Sequence, residues 1–255
     1  MHRGVYIALA IVAITYVSVC VAMSAFQRSL IYYPQPRTVT APESTMTLPV
    51  DGAELVVTVR PHAGPDAIIY FGGNAEDVSV NLDSFSKAFP DHALFLLHYR
   101  GYGGSTGSPT ERVNNSDAVA LFQKVHAQYP EVVVIGRSLG SGVAVRLASE
   151  SPASRLILVT PYDSIEGLAA CQYPYLPVRL LLLDRYESGK YAPSIRIPTT
   201  IIAAENDEVI PRASTEKLLA RFSEGVASMT VIQGVGHNDI GTKSEYLEAI
   251  QAALR

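Results

Sequence analysis

The chain begins with an apolar run and then settles into alternation. From Gly4 to Phe26, "GVYIALAIVAITYVSVCVAMSAF", no charged side chain occurs in 23 positions. From about residue 54 onward, short β-branched runs alternate with stretches of helical spacing. "AIIYF" (67–71), "ALFLLHY" (93–99), "EVVVIG" (131–136), "RLILVT" (155–160), "PTTIIAA" (198–204) and "SMTVIQG" (228–234) read as buried strands. Between them lie helical patterns: residues 78–89 with Val78, Leu82, Phe85 and Phe89 on one face, Glu111 to about Gln128 behind a Thr110 cap, "LGSGVAVRLASE", "STEKLLARFS" and "KSEYLEAIQAAL". Ahead of these, "RSLIYY" (28–33) and "ELVVTVR" (54–60) read as antiparallel strands, with Pro34, Pro36 and Pro42 marking loops. Apolar strands alternating with helices predict an α/β domain with a mostly parallel central sheet, helices on both faces. Ligands of such sheets sit beyond the carboxyl ends of the strands.

The first 27 residues are set apart from the domain at 28–255. As a helix, Gly4–Phe26 spans roughly 34 Å, enough for a bilayer core. An uncleaved single-span anchor competes with a cleaved signal segment and with a buried core helix. The run exceeds the usual signal-peptide apolar region, although Ala22-Met23-Ser24 is a passable cleavage site. Arg3 lies on one side and Arg28 and Arg37 on the other, so the charge rule barely separates the two orientations, the extracytoplasmic one being slightly favoured.

Composition narrows the partners. Charged residues make up 17% and hydrophobic ones 48% of 255 positions, so the chain is neither disordered nor low in complexity. The formal charge is −4 with no basic cluster, which argues against a nucleic-acid partner. Cys20 lies in the apolar run and Cys171 is the only other cysteine, so the body holds neither an internal disulfide nor a cysteine-based zinc site.

Candidate chemistry lies at the strand ends. "Gly136-Arg137-Ser138-Leu139-Gly140" fits G-x-S-x-G between a strand and a helix. The small flanking residues let the chain turn tightly around a strained serine, projecting its hydroxyl and aiming the Leu139 N–H at a developing oxyanion. A plain capping serine and a phosphate-binding turn are the alternatives. A serine hydroxyl needs an imidazole base. His237, in "GVGHND" just before the last helix, fits that role better than His2, His62, His92, His98 or His126. Asp207, two residues past "PTTIIAA", is the candidate acid; Asp163, Glu205 and Glu208 are the alternatives. For a second oxyanion donor, "YFGGNAED" offers the Asn74 backbone N–H first and Ala75 second, against an ordinary Gly-Gly-Asn turn.

With these residues in place, "FGGNAED", "HYRGYGGSTG", "GRSLGSGVAV", "AENDEVIP" and "GVGHND" resemble the motifs of membrane-anchored serine hydrolases with the α/β-hydrolase fold. The chain is similar, over about residues 25–255, to the bud-emergence family with the α/β-hydrolase-domain-containing proteins of types thirteen and seventeen. The resemblance implies Ser138 as nucleophile, Asp207 as acid and His237 as base, with the Asn74 and Leu139 amides as oxyanion hole. It departs at Gly72, where the family usually has His ahead of Gly-Asn-Ala, which bears on the shape of that loop. Type seventeen members remove palmitoyl groups from proteins by thioester hydrolysis, and other members act on esters and lipids.

The segment from Tyr162 to Ile197 is expected to form a lid, and "PYLPVRLLLL" within it is apolar enough to face an acyl chain or a membrane. An ordinary buried helix is the bland alternative. The reading is a hydrolase of carboxylic esters or thioesters acting on small-molecule or lipid-like acyl substrates, with no metal or organic cofactor. An amidase using the same triad, and a non-catalytic binding protein on the same fold, are the rivals.

Overall fold

The computed structural model describes residues 2–255. A long helix, α1 (His2–Ile31), precedes a hairpin of β1 (Thr45–Val50) and β2 (Ala53–Arg60). The chain then alternates: β3 (Asp66–Phe71), α2 (Leu82–Ala88), β4 (Ala93–Leu97), α3 (Glu111–His126), β5 (Glu131–Arg137), α4 (Leu139–Ala148) and β6 (Arg155–Val159). Three short helices follow, α5 (Ile165–Gln172), α6 (Val178–Leu181) and α7 (Ser188–Tyr191). The chain closes with β7 (Thr199–Ala204), α8 (Arg212–Leu219), β8 (Ala227–Ile232) and α9 (Ser244–Ala253).

Eight strands form one sheet in the order β1-β2-β4-β3-β5-β6-β7-β8. β2 pairs antiparallel with β1 and β4, and every pair from β4 onward is parallel. The two-residue period of the strands divides the core. Ile69, Phe71, Val134 and Leu158 pack with Leu121 of α3, Val143 of α4 and Leu218 of α8 on one face. Ile68, Tyr70, Val133 and Ile157 pack with Phe85 of α2 and Ile250 of α9 on the other. Both faces being covered is why these strands read as unbroken apolar runs. Thr110 caps α3 as expected, its hydroxyl accepting from the Val113 N–H at 3.2 Å.

The start of the domain differs from expectation. "RSLIYY" is not a strand: α1 runs through Ile31, and β2 takes "TMTLPV" (45–50) as its partner instead. The helix continues because its last turns find tertiary partners. Arg28 Nε lies 3.2 Å from Asp184, and the Tyr32 hydroxyl, just beyond the helix, reaches Asp184 at 3.1 Å and Tyr186 at 2.9 Å. Burial of this hydroxyl and its carboxylate neighbour hold Tyr32 far above the ordinary phenol range, so it stays a neutral donor. Pro34 then ends any helical continuation. β1 escapes the sequence pattern because Pro49 interrupts it, which an edge strand tolerates.

One buried ion pair fixes the glycine-rich loop after β4. Arg100 makes a bidentate contact with Asp117 of α3, both bonds 2.8 Å, and also donates to the Asp51 carbonyl at 2.9 Å. Asp117→Ala would leave a buried guanidinium unpaired, so a loss of about 3–5 kcal/mol is expected. Denaturant unfolding measures it; a loss below about 1 kcal/mol would mean that water replaces the carboxylate.

Candidate active site

Ser138 sits where β5 hands over to α4, with φ 48° and ψ −117°. A non-glycine residue there is strained by about 1–3 kcal/mol, and its surroundings must hold it. Two glycines make that possible. A side chain at Gly136 would collide with the Gly140 carbonyl and Ala144, and one at Gly140 with the Phe71 carbonyl at the end of β3. Their absence seats the first turn of α4 directly on the sheet. Leu139 is the first residue of α4, so its N–H is one of those a helix leaves without an internal acceptor.

His237 lies in the loop between β8 and α9, its imidazole almost wholly buried. Its Nε2 is 2.9 Å from Ser138 Oγ, and its Nδ1 is 2.9 Å and 3.0 Å from the two carboxylate oxygens of Asp207. Asp207 is itself held by its loop: Oδ1 accepts from the Val209 N–H at 3.0 Å and the Ile210 N–H at 2.7 Å. Three strand-end loops thus deliver a continuous chain of hydrogen bonds.

The alternative acids occupy other posts. Asp163 pairs with Lys217 at 2.5 Å and Arg221 at 3.8 Å, at the base of the segment that follows β6. Glu205 accepts from the Gly234 N–H at 2.7 Å, and Glu208 from the His237 main-chain N–H at 3.0 Å, so both brace the histidine loop. His98, another strand-end histidine, is enclosed and bonded to the Thr58 hydroxyl at 2.9 Å. Burial pushes its pKa down to about 4.

The Gly-Gly-Asn loop after β3 lies across from Ser138. Asn74 Oδ1 accepts from the Tyr33 N–H at 2.9 Å, from the Tyr102 hydroxyl at 3.1 Å and from the neighbouring Ala75 N–H at 2.9 Å. The Ala75 amide is therefore engaged, and Ala75 itself takes a positive φ of 57°. Gly73–Asp77, Arg137, Ser138, His237 and Asn238 line a polar cleft of about 320 Å³. Among the described residues, no cluster of three His, Cys, Asp or Glu side chains could hold a metal.

Two residues without a role in the sequence reading tie this cleft together. Glu76 accepts from the Gly73 N–H at 2.6 Å, the Tyr70 hydroxyl at 2.8 Å and Asn81 Nδ2 at 2.7 Å. Arg137, the residue before Ser138, lies 3.5 Å from Glu76 and donates to the His237 and Asn238 carbonyls at 3.3 and 3.4 Å. One guanidinium thus spans the loop after β3 and the histidine loop. Burial pulls the Arg137 pKa down, but the Glu76 carboxylate and the Tyr70 and Tyr246 phenols outweigh it, and the net shift is upward. The only signal in sequence was a pair of charges flanking glycines, indistinguishable there from solvated loop charges.

The alpha/beta hydrolase fold family matches at residues 66–186. An uncharacterized protein of Mycobacterium tuberculosis is 35% identical over 253 residues, covering 91% of this chain and 87% of that one. The chain belongs to the α/β-hydrolase family. The human alpha/beta hydrolase domain-containing protein 17B is 29% identical over 191 residues, 72% of this chain and 64% of that protein. Among solved structures, the Pyrococcus furiosus esterase Pf2001 superposes with a TM-score of 0.67 at 20% identity, covering 87% of this chain and 98% of that one. The enol-lactonase of Burkholderia xenovorans does so at 0.65 and 15%, covering 82% and 99%. Both share the fold of this α/β-hydrolase.

His98 gives this site's surroundings a pH signature. The unfolded chain takes up a proton near pH 6.5, which the folded chain refuses until about 4, so stability falls as pH drops through that window. The loss reaches about 3 kcal/mol at most. His98→Gln is expected to flatten the fall of Tm between pH 6.5 and 4; an unchanged slope would assign the acid sensitivity to other groups.

Proposed function

We propose that this α/β-hydrolase is a serine hydrolase of carboxylic ester or thioester bonds, acting on acyl substrates through a covalent acyl-enzyme. The observation that carries the reading is the unbroken Asp207–His237–Ser138 chain, with contacts of 2.9 Å on either side of the imidazole. Ser138 Oγ attacks the substrate carbonyl carbon as its proton passes to His237 Nε2. Asp207 holds the ring in the tautomer that leaves Nε2 free and stabilises the imidazolium that forms. The oxyanion is received by the Asn74 and Leu139 amides, the latter backed by the partial positive charge at the start of α4. His237 returns the proton to the departing oxygen or sulfur, leaving an ester on Ser138. A water, deprotonated by His237, then releases the acyl group as its acid and restores the serine. The chemistry calls on no metal or organic cofactor.

The same reading extends to the remaining parts of the chain. α1 is retained as a single membrane span with the hydrolase domain on one side, and residues 162–197 form the lid-like insertion. The long, almost wholly exposed apolar surface of α1 supports the first statement.

A fluorophosphonate probe tests the nucleophile directly. The native protein is expected to label, and Ser138→Ala and His237→Ala to abolish labelling. Labelling that survives Ser138→Ala would sink the assignment. Asp207→Asn is expected to keep the fold and lower ester turnover about 10⁴-fold, because the amide favours the wrong imidazole tautomer. A loss below about tenfold would move the acid role to another carboxylate.

A further inference from the structure

The segment between β6 and β7 does not lie against the sheet throughout; its tip lies along α1. The Tyr16 hydroxyl donates to the Tyr175 carbonyl at 2.9 Å, bridging 159 positions of sequence. A hydrocarbon core takes about 20 helical residues. Whichever 20-residue window within Gly4–Phe26 is chosen, Tyr16 lies about 10–15 Å inside its domain-side end, at 1.5 Å per residue. Resting on the membrane-span reading of α1, we infer that the tip from Tyr173 to Leu183 enters the bilayer beside α1, with lipid hydrocarbon as the partner of its outer face.

The chemistry of the tip suits that solvent. Tyr175 is 88% exposed and Leu180 83%, and Tyr175 meets α1 through the Tyr16 hydroxyl. An apolar face of this kind is costly in water and at home in lipid. Most of the backbone is prepared for it too, since an amide left unsatisfied in hydrocarbon is costly. Pro174 and Pro177 carry no N–H at all. The amides of Leu176, Val178, Leu180, Leu181 and Leu182 all donate within the tip. Gln27 of α1 adds two bonds at the end of the stretch, accepting from the Leu183 N–H at 2.6 Å and donating to the Leu181 carbonyl at 3.0 Å. Arg179 is the one charge in the stretch, and its Nε reaches back to Glu166 at 3.8 Å, in the first turn of α5. Its long stem lets the charge withdraw from hydrocarbon in this way. A cavity of about 180 Å³ between tip and span is lined mainly by carbon, including Met23, Ile31, Ala169 and Leu181. A lipid tail matches that lining.

The consequence for the proposed hydrolase is a domain held against the bilayer at two points, so that an acyl substrate arrives from the lipid phase. The test uses the full chain in vesicles, in a Cys20→Ala, Cys171→Ala background. An environment-sensitive fluorophore is placed at Leu180→Cys, with Tyr175→Cys as a second tip position. Val12→Cys reports the span, and Glu224→Cys reports the loop before β8. Nitroxide carried mid-chain on the lipid should remove most of the emission at 180, 175 and 12 and leave 224 unchanged. Tip probes quenched by aqueous iodide instead, with Val12 still quenched from lipid, would overturn the inference and leave the anchor standing. An unquenched Val12 would overturn both. Protection of the tip that vanishes at one copy per vesicle would assign the face to a second copy of this chain and overturn the inference too. Fluorophosphonate labelling of the same variants reads the catalytic proposal independently of all these outcomes.

Discussion

The left-handed turn at Ser138 is the constraint around which the domain is arranged. A residue at φ 48° and ψ −117° persists only where its surroundings hold it against the strain. Here the holding is done by close backbone contact. Gly136 and Gly140 remove the two side chains that would separate β5, α4 and the end of β3, and the Ser138 N–H donates to the Val159 carbonyl of β6 at 2.9 Å. The serine is thereby locked between three strands, and its hydroxyl has one place to go.

Everything that faces this hydroxyl is braced by buried polar groups rather than by apolar packing. Glu76 and Arg137 join the loop after β3 to the loop after β8. Asn74 joins the first of these loops to the exit of α1 at Tyr33 and to Tyr102. Tyr102 in turn belongs to the loop that Arg100 and Asp117 pin against α3. Burial pushes Tyr102 up to about 12, outweighing the Tyr33 and Ala75 amides that pull it down, so it remains a neutral donor to Asn74 at physiological pH. Such networks are rigid when every member is satisfied and expensive when one is lost.

The same logic connects the site to the N-terminal helix. α1 docks through Gln27, Arg28 and Tyr32 against residues 181–186, and its chain then runs to the Asn74 side chain. The exit of the apolar helix and the candidate oxyanion loop, 41 positions apart from Tyr33 to Asn74, are consequently neighbours in space. If α1 spans a membrane as proposed, this docking sets the cleft on the side of the domain nearest the span.

The elements and the chemistry differ in how far the chain alone reveals them. Six parallel-sheet strands were legible because both their faces are buried, which leaves an unbroken apolar run, and Thr110 announced α3 by its cap. Ser138, Asp207 and His237 were legible because residue type, order and position at strand ends are local properties. β1 was not, since Pro49 disguises an edge strand; nor were the last turns of α1, whose helicity depends on Asp184 and Tyr186 more than 150 positions away. Glu76 and Arg137 looked like ordinary loop charges until the sheet brought their loops together. Periodicity and motif thus determined a parallel α/β sheet, a glycine-flanked serine and its candidate partners by type. Only the tertiary structure decided that Ser138 and His237, 99 positions apart, meet at 2.9 Å, and that Tyr175 lies on Tyr16. Those contacts follow from strand order, register and packing, which no local stretch of sequence contains.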